Sequence, residues 1–191
     1  MDSGLHAERP RSGFLSTLLK LVGLVALVIV LSTALRTFVF QAYEIPSGSM
    51  EETIMTGDMV FSEKVSYYFR DVEPGDIVTF NDPLSPGRVL IKRVIAVGGQ
   101  VVDINNDDGL VYVDGEPLQE PYTDGLPSYR LDNSIANVTY PYRVPEGELW
   151  VMGDNRTNSQ DSRYFGSIDR DTVTGRGALI YWPLDHFGLL E

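Results

Sequence analysis

Apolar and polar residues follow different patterns in the two parts of the chain, and the change falls near residue 40. From residue 14 to residue 40 the sequence reads FLSTLLKLVGLVALVIVLSTALRTFVF, with fifteen uncharged residues between Lys20 and Arg36. About 20 apolar residues span a bilayer, and the long side chains of lysine and arginine reach back to its surface. A core helix would have a polar face, which this segment lacks. The pattern therefore predicts a transmembrane anchor at residues 18–41, preceded by a tail at 1–17.

The charges around this segment predict its orientation. Arg9 and Arg11 lie in the short stretch before it, and basic residues favour the cytoplasmic side of a membrane. We therefore expect a single-pass protein of the plasma membrane, with its N-terminus in the cytoplasm and residues 42–191 outside. The alternative is a cleaved secretory signal, because Ala34 ends a small-x-small pattern typical of a cleavage site. The apolar run continues beyond that site to Phe40, which favours an uncleaved anchor.

Beyond Tyr43 the apolar residues occur in short runs separated by Gly, Pro, Asn and Asp. Runs such as DIVTF, RVLIKRVIAV, LVYV and LWVM are typical of strands joined by hairpins. The apolar periodicity weakens between residues 103 and 148, where Pro, Tyr, Asn and Asp are frequent. The predicted fold is mainly β: a single N-terminal transmembrane helix, then an antiparallel β-sheet domain at 42–191 with a small inserted β ribbon or subdomain at 103–148.

Composition and charge narrow the classes of function. The net charge is −12, and the first 43 residues are slightly basic, so the acidic excess lies in the outer part. Nucleic acid is therefore not an expected partner, because phosphate binding needs a basic surface. The absence of cysteine excludes disulfides and thiolate chemistry, and the two histidines are too far apart for an HExxH zinc site. Phosphate-binding loops of the Walker and Rossmann types are also absent, so we expect neither a cofactor nor a metal.

Candidate chemistry begins with two serines just after the apolar run. Ser47 and Ser49 lie in YEIPSGSM, and a serine hydroxyl becomes a nucleophile only when a base takes its proton. The two histidines are poor candidates for that base, since His6 would lie across the membrane and His186 is close to the C-terminus. A lysine can act instead if burial lowers its pKa enough to leave a neutral amine.

The three lysines of the chain differ in their surroundings. Lys20 flanks the apolar run, and Lys64 follows a glutamate whose carboxylate favours the charged amine. Lys92 lies in RVLIKRVIAV, where strand alternation places it on one face with Leu90, Val94 and Ala96. Lys92 is therefore the lysine that burial is expected to deprotonate. The alternative is a lysine on an edge strand that prevents aggregation, and the strand pattern leaves both interpretations open.

A third stretch, GDNRTNSQDSR at 153–163, is dense in paired charges. Aspartate–arginine pairs form bidentate hydrogen bonds that hold a loop rigid. Four charged side chains are therefore expected to brace the backbone here: Asp154, Arg156, Asp161 and Arg163. Ser159, in the same loop, is a candidate to hydrogen-bond an incoming lysine. Such order is what a nucleophile and its base require, although the stretch alone is also compatible with a purely structural turn.

Together these segments resemble the ordered sequence motifs of bacterial type I signal peptidases (leader peptidases), a family of Ser/Lys-dyad serine proteases. The matching segments follow the predicted anchor and are PSGSM at 46–50, GDMV at 57–60, IKRVIAVGG at 91–99 and GDNRTNSQDSR at 153–163. They occur in the order found in the family and cover about 120 residues of the chain.

The resemblance implies a role for each matching residue. Ser49 is the implied nucleophile and Lys92 the implied general base, while Ser47 adds its hydroxyl to an oxyanion hole beside the Ser49 N–H. Ser159 is implied to orient the Lys92 amine, and the four charged residues of the loop to brace the site. The implied activity is that of a membrane-anchored serine endopeptidase, which removes N-terminal signal peptides from exported preproteins after Ala-x-Ala-like sites. The implied partners are these preproteins and the lipid bilayer, and the secretion translocase is a candidate partner.

One segment departs from the family pattern, and two other functions are alternatives. After the nucleophile the chain reads EETI at 51–54, where the family often has x-P-T-L, so the turn here is expected to differ. A self-cleaving Ser/Lys repressor would have a DNA-binding region upstream, where this chain has an apolar run. A catalytically silent anchored protein that binds secreted chains would keep the fold and lose the dyad, whereas Ser49 and Lys92 are both present.

Overall fold

The computed structural model describes residues 12–132 and 138–190 of the protein. The chain divides after Phe38 into two compact units. In the described residues, the first unit consists of one long helix and the second contains the strands.

The long helix, α1, spans Ser12–Phe38. Its segment Gly13–Phe38 has a mean hydropathy of 2.6 and rises about 39 Å at 1.5 Å per residue, more than the ~30 Å of a bilayer core. The hydroxyls of Ser16 and Thr33 donate to backbone carbonyls of the preceding turn, so these polar groups are satisfied inside the helix. Among the described residues, α1 is the helix long and apolar enough to cross a membrane. The predicted N-terminal apolar helix is confirmed, and it begins and ends a few residues before the range 18–41.

The second unit is built of antiparallel strands, which confirms the predicted mainly β fold. In chain order its described strands are β1 (Phe40–Glu44), β2 (Met59–Glu63), β3 (Ile77–Asn81), β4 (Val89–Val97), β5 (Val101–Ile104), β6 (Val111–Val113), β7 (Glu116–Pro117), β8 (Tyr142–Arg143), β9 (Glu148–Met152), β10 (Ile168–Asp169), β11 (Val173–Trp182) and β12 (Gly188–Leu189). A 3-10 helix at Gly48–Met50 follows β1, and a short helix, α2, spans Ser162–Phe165 between β9 and β10.

The larger sheet has the strand order β1-β2-β11-β3-β4-β9-β10, and β12 pairs with β11. Strand β3 pairs with β4 from Val89 to Arg93, whereas β9 pairs with β4 from Arg93 onward. Among the residues that the structure describes, the first half of β4 is therefore paired along one side only, and Lys92 lies where the second pairing begins. This register leaves the lysine next to a free strand edge.

The smaller sheet has the strand order β7-β6-β5-β8 and lies between residues 101 and 143. Most of it falls in the segment 103–148, for which the sequence predicts an insertion. An apolar cluster joins this sheet to β4 and β9, and its fully buried members include Ala96, Val102, Ile104, Val111, Trp150 and Met152. The smaller sheet thus shares a core with the strand that contains Lys92.

A second apolar cluster holds the segment between β1 and β2. Met50 and Ile54 are fully buried in it and pack with Val60 of β2 and Ile180 of β11. Burial of a side chain of this size contributes about 1.5–3 kcal/mol. The two anchors therefore fix the serine-containing turn on the larger sheet.

Candidate active site

Ser49 lies in the 3-10 helix Gly48–Met50 and is half-buried, next to the fully buried Met50. The Glu51 carboxyl group lies directly over Gly48, where a β carbon would displace the end of that side chain.

Asn155 ties this turn to the loop that follows β9. Its side-chain Nδ2 donates to the carbonyl oxygen of Gly48 at 3.0 Å and to Glu51 Oε2 at 3.2 Å. Its backbone N–H donates to the carbonyl oxygen of Ser49 at 3.3 Å. These hydrogen bonds hold the backbone at Ser49 and on its N-terminal side, so the serine hydroxyl has a defined position.

Lys92 supplies an amine beside that hydroxyl. The residue is 3% exposed, and Nζ donates to Ser49 Oγ at 2.6 Å and to the carbonyl oxygen of Ile91 at 2.8 Å. A serine within hydrogen-bond reach of a base is the arrangement that activates the hydroxyl. The structure therefore brings together Ser49 and Lys92, and the lysine is buried rather than exposed on an edge.

Burial lowers the pKa of the Lys92 amine from the usual 10.5 to about 8. The charged amine is disfavoured because protein atoms replace the water that would solvate it. The carboxylates of Asp161 and Asp154 oppose this shift, whereas the guanidinium groups of Arg88 and Arg163 add to it. Near pH 8 about half of the Lys92 side chains are therefore neutral, and the neutral amine is the form that accepts a proton.

Asp154 joins the loop to β4 and to the turn. Its Oδ1 accepts from Arg93 Nε at 2.9 Å and its Oδ2 from Arg93 Nη2 at 2.8 Å, while Thr53 Oγ1 donates to Oδ2 at 2.5 Å. The Arg93 and Asp154 side chains are 4% and 0% exposed. Removing one partner of a buried ion pair costs about 3–5 kcal/mol, because the other charge is left without compensation. Asp154 thus fixes the loop beside the residue that follows Lys92.

Asp161 organises the other end of the loop as the N-cap of α2. It accepts from the backbone N–H groups of Gly153 at 3.0 Å and Arg163 at 3.2 Å, and the Arg163 guanidinium binds both of its oxygens at 2.9 Å. Burial disfavours the ionised carboxyl, but Arg163 and these hydrogen bonds outweigh burial and hold the pKa of Asp161 below its usual value. The pairing of aspartate with arginine expected within this loop is observed for Asp161 and Arg163.

Neither of the two supporting serines is hydrogen-bonded to the Ser49–Lys92 pair. Ser159 is buried beside Gly153, and its hydroxyl helps to lower the pKa of Asp161 but makes no described hydrogen bond to Ser49 or Lys92. Ser47 is exposed, its backbone is extended with φ −143° and ψ 151°, and its side chain does not cap the 3-10 helix. The roles of both serines therefore stay predictions.

His186 has a different partner. Its Nδ1 lies 2.9 Å from Asp58 Oδ1, and this hydrogen bond raises the pKa of the imidazole. His6 lies outside the described residues. Lys92 is thus the base that the structure places against Ser49.

Three residues at the site were not predicted from the sequence. Arg93 and Asn155 lie inside the matching motifs, directly after Lys92 and Asp154, and that position in the sequence is the signal that could predict them. Glu120 has no local signal, because its partner Arg156 is 36 residues away in the sequence. Arg156 therefore braces the loop from outside, rather than by pairing within it.

Comparison with known proteins decides the family. Residues 18–182 match the family model described as "Signal peptidase, peptidase S26". The chain belongs to the peptidase S26 family of signal peptidases. A probable signal peptidase I-1 of Synechocystis sp. (strain ATCC 27184 / PCC 6803 / Kazusa) is 40% identical over 176 residues, which cover 88% of this chain and 85% of the relative. Signal peptidase I of Leptolyngbya laminosa is 34% identical over 192 residues, with coverage of 96% and 88%.

A solved structure of a signal peptidase I from Enterococcus faecalis V583 is also similar, with 29% identity and a TM-score of 0.48, covering 56% of this chain and 97% of that chain. The match to the peptidase S26 family confirms the resemblance found in the motifs. This signal peptidase family member is therefore a serine endopeptidase. The matched residues include Ser49, Lys92 and the whole of the loop at 153–163.

Proposed function

We propose that this chain removes the signal peptides of exported preproteins by cutting after Ala-x-Ala-like sites, with Ser49 as nucleophile and Lys92 as general base. The observation that carries the proposal is the 2.6 Å hydrogen bond between Ser49 Oγ and a buried amine whose pKa is lowered to about 8. Membership of the signal peptidase family supports the substrate class.

In the proposed reaction, neutral Lys92 takes the proton of Ser49 as Oγ attacks the carbonyl carbon of the scissile bond. The tetrahedral oxyanion is stabilised by the Ser49 N–H and by the hydroxyl of Ser47, which is exposed and close enough in sequence to turn toward it. As the C–N bond breaks, protonated Lys92 gives its proton to the leaving amine. Lys92 then takes a proton from water as the water attacks the ester on Ser49, and it returns that proton to Ser49 Oγ as the ester bond breaks and the signal peptide is released.

The surrounding residues have proposed supporting roles. Asp154 keeps the loop against β4 through its buried ion pair with Arg93, Asp161 and Arg163 brace the loop internally, and Arg156 links it to Glu120. Ser159 is the proposed orienting group for the amine. Its hydroxyl is buried and makes no described hydrogen bond to Lys92, and its proposed role is to accept from the amine when Ser49 is engaged with substrate.

The free edge of β4 is the proposed place for the substrate backbone. Within the described part of the chain, residues 89–92 pair with β3 and with no second strand, so the other side of this segment is the proposed place for an extended peptide. A peptide paired there would run toward Ser49, because Lys92 is hydrogen-bonded to that residue.

Membrane anchoring fits this chemistry. We propose that the apolar segment predicted at 18–41 is an uncleaved anchor, with residues 1–17 in the cytoplasm and residues 42–191 outside. The serine turn follows α1 by only a few residues and one short strand. A signal peptide is itself apolar, and its cleavage site emerges where the membrane ends, so a nucleophile close to an anchor meets the scissile bond there.

The test of this proposal is cleavage of a purified preprotein by the purified full-length chain in detergent. We expect one cut, after the second alanine of an Ala-x-Ala signal end, identified from the mass of the released product. Tryptophan in place of that alanine is expected to lower kcat/KM by at least about tenfold, because a site for a small side chain does not admit an indole ring. Binding of the preprotein without cleavage would instead support the catalytically silent protein.

The rate of cleavage is expected to rise with pH. Because burial lowers the pKa of Lys92 to about 8, the neutral base is scarce well below that pH and predominates above it. We expect kcat/KM to increase about tenfold for each pH unit below 7 and to level off above about 9. Titration of lysine Cε signals by NMR checks the assignment, since only Lys20, Lys64 and Lys92 contribute. A rate independent of pH from about 6 to 10 would contradict the role of Lys92.

A further inference from the structure

Arg156 reaches out of the loop at 153–163 into the inserted segment of the chain. Its Nη1 and Nη2 donate to Glu120 Oε2 at 2.8 Å and Oε1 at 2.6 Å, and Nη1 also donates to Ser128 Oγ at 2.8 Å. The Arg156 side chain is 0% exposed and that of Glu120 is 9% exposed. The contact is therefore a buried, bidentate ion pair rather than a surface one. We call residues 120–128, which supply these partners, the bracing segment.

Tyr122 of the bracing segment contacts a second arginine. The guanidinium carbon of Arg93 lies 4.0 Å from the centre of the Tyr122 ring, and that of Arg156 lies 5.8 Å from it. Both distances are within the range of cation–π attraction. The Tyr122 hydroxyl donates to Glu120 Oε1 at 2.9 Å, so the ring is held in place by the carboxylate that also binds Arg156.

The two arginines lead directly to the reacting groups. Arg93 binds both oxygens of Asp154, and Arg156 Nε donates to the carbonyl oxygen of Gly153 at 3.0 Å. Gly153 in turn packs against the carbonyl oxygen of Ser49, so closely that the glycine has no room for a β carbon. A displacement of Tyr122 or Glu120 is therefore transmitted to the backbone beside the nucleophile through two buried contacts.

We propose that the bracing segment is a positioning element of the active site, in which Glu120 and Tyr122 hold Arg156 and Arg93 and thereby hold the loop that packs against Ser49 and encloses Lys92. This inference rests on the proposed function of Ser49 and Lys92. It gives the smaller sheet a part in catalysis, because the bracing segment lies between β7 and β8 of that sheet. Glu120 and Tyr122 are positioning residues, since they touch neither Ser49 nor Lys92.

If the bracing segment positions the active site, it also affects the pKa of Lys92, which a segment that only stabilises the fold would not. The amine of Lys92 is surrounded by charged groups of several elements: Asp154 and Asp161 of the loop, Arg163 of α2, and Arg88 before β4. Its low pKa depends on exclusion of water from this surrounding. Loosening the loop admits water beside the amine, so the pKa of Lys92 is expected to rise toward the usual lysine value.

Tyr122→Leu, in the full-length protein, tests the proposal. We expect kcat for preprotein cleavage to fall about tenfold with KM changed by less than about twofold, because the reacting groups are displaced and substrate binding is not. We also expect Lys92 to titrate at a higher pH, measured from its Cε signal without substrate. Tyr112→Leu is the matched control: Tyr112 belongs to β6 of the same sheet, and its hydroxyl donates to a carboxylate, Asp108 Oδ2, at 2.8 Å. The control is expected to keep the wild-type kcat and Lys92 titration.

Wild-type kcat and wild-type titration of Lys92 in folded Tyr122→Leu protein would overturn the proposal, as would equal changes in the Tyr112→Leu control. If Tyr122→Leu does not fold, Tyr122→Phe and Ser128→Ala take its place, since each removes one hydrogen bond and leaves the arginines packed. Each is then expected to lower kcat about threefold and to shift the Lys92 titration upward, and wild-type values in both would again refute the positioning role.

The two readouts also separate this inference from the proposed function. If wild-type protein does not cleave the preprotein, the proposed function fails, while the Lys92 titration still reports whether Tyr122 controls the surroundings of the amine. If wild-type protein cleaves and the Tyr122 variants match it in both measurements, only the positioning role fails.

Discussion

Replacing Lys92 with alanine is expected to lower kcat/KM for preprotein cleavage by about 10³- to 10⁴-fold while the strands stay folded. The amine is the group hydrogen-bonded to Ser49 Oγ, and the described structure places no histidine there, since His186 pairs with Asp58. Without the amine, the Ser49 hydroxyl keeps its proton at neutral pH and is a poor nucleophile. We expect the variant to fold, because the substitution removes a buried amine, and a buried polar group costs free energy when it is kept away from water.

Two companion variants make the Lys92 result interpretable. Ser49→Ala is expected to cause a loss of similar size, and the double variant no further loss, because nucleophile and base act as one unit. Lys64→Ala is the matched control, since Lys64 follows β2 outside the site and its substitution is expected to leave kcat/KM within about twofold. Circular dichroism and thermal unfolding would verify that each variant is folded. A Lys92→Ala protein with more than about a tenth of wild-type activity would refute the dyad.

The parts of the fold that the sequence predicts well depend on local pattern. The apolar run of α1 is recognised by length and composition alone, and short apolar runs bounded by turn residues mark the strands. Alternation along β4 predicts that Lys92 shares a face with Val94, and both are buried. Beyond Val94 a bulge in the pairing with β9 interrupts the alternation, so the prediction that Ala96 shares the face of Lys92 is wrong, and Ala96 packs in the same apolar cluster as Ile95. No local rule predicts that bulge, because it depends on how β4 meets another strand.

The contacts of the site that the sequence does not predict are ion pairs whose two residues lie far apart in the chain. Aspartate and arginine in one loop predict ion pairs, and Asp161 does pair with Arg163 two residues away. Asp154, however, pairs with Arg93, 61 residues away, and Arg156 pairs with Glu120. With 27 acidic residues in the chain, charge alone does not indicate which carboxylate meets which arginine. That choice is made by the sheet register and by the core shared between the two sheets.

The sequence also does not show at which glycines a side chain would clash with neighbouring atoms. Gly48 and Gly153 both lie in the motifs that contain the predicted site residues, yet neither motif states why glycine is needed. At Gly153 a β carbon would overlap the carbonyl oxygen of Ser49 and the side chain of Ser159, whereas at Gly48 it would meet only the movable end of the Glu51 side chain. Gly153 thus allows the loop to approach the turn at the nucleophile.

Replacing Gly153 with alanine is therefore expected to lower kcat about 10²- to 10³-fold, although it adds a single methyl group. The new β carbon would overlap the carbonyl oxygen of Ser49 and the side chain of Ser159, so the turn or the loop must move, and a shift of about 1 Å at a nucleophile costs about 10²-fold in rate. Overpacking of this kind destabilises a folded protein by about 1–3 kcal/mol, which is less than a typical domain stability of about 5–15 kcal/mol. Gly188→Ala is the matched control, because the nearest atom to a β carbon there is the carbonyl oxygen of His186, at 3.9 Å. Wild-type kcat in a folded Gly153→Ala protein would mean that the loop yields without displacing Ser49, and that close packing at Gly153 does not position the nucleophile.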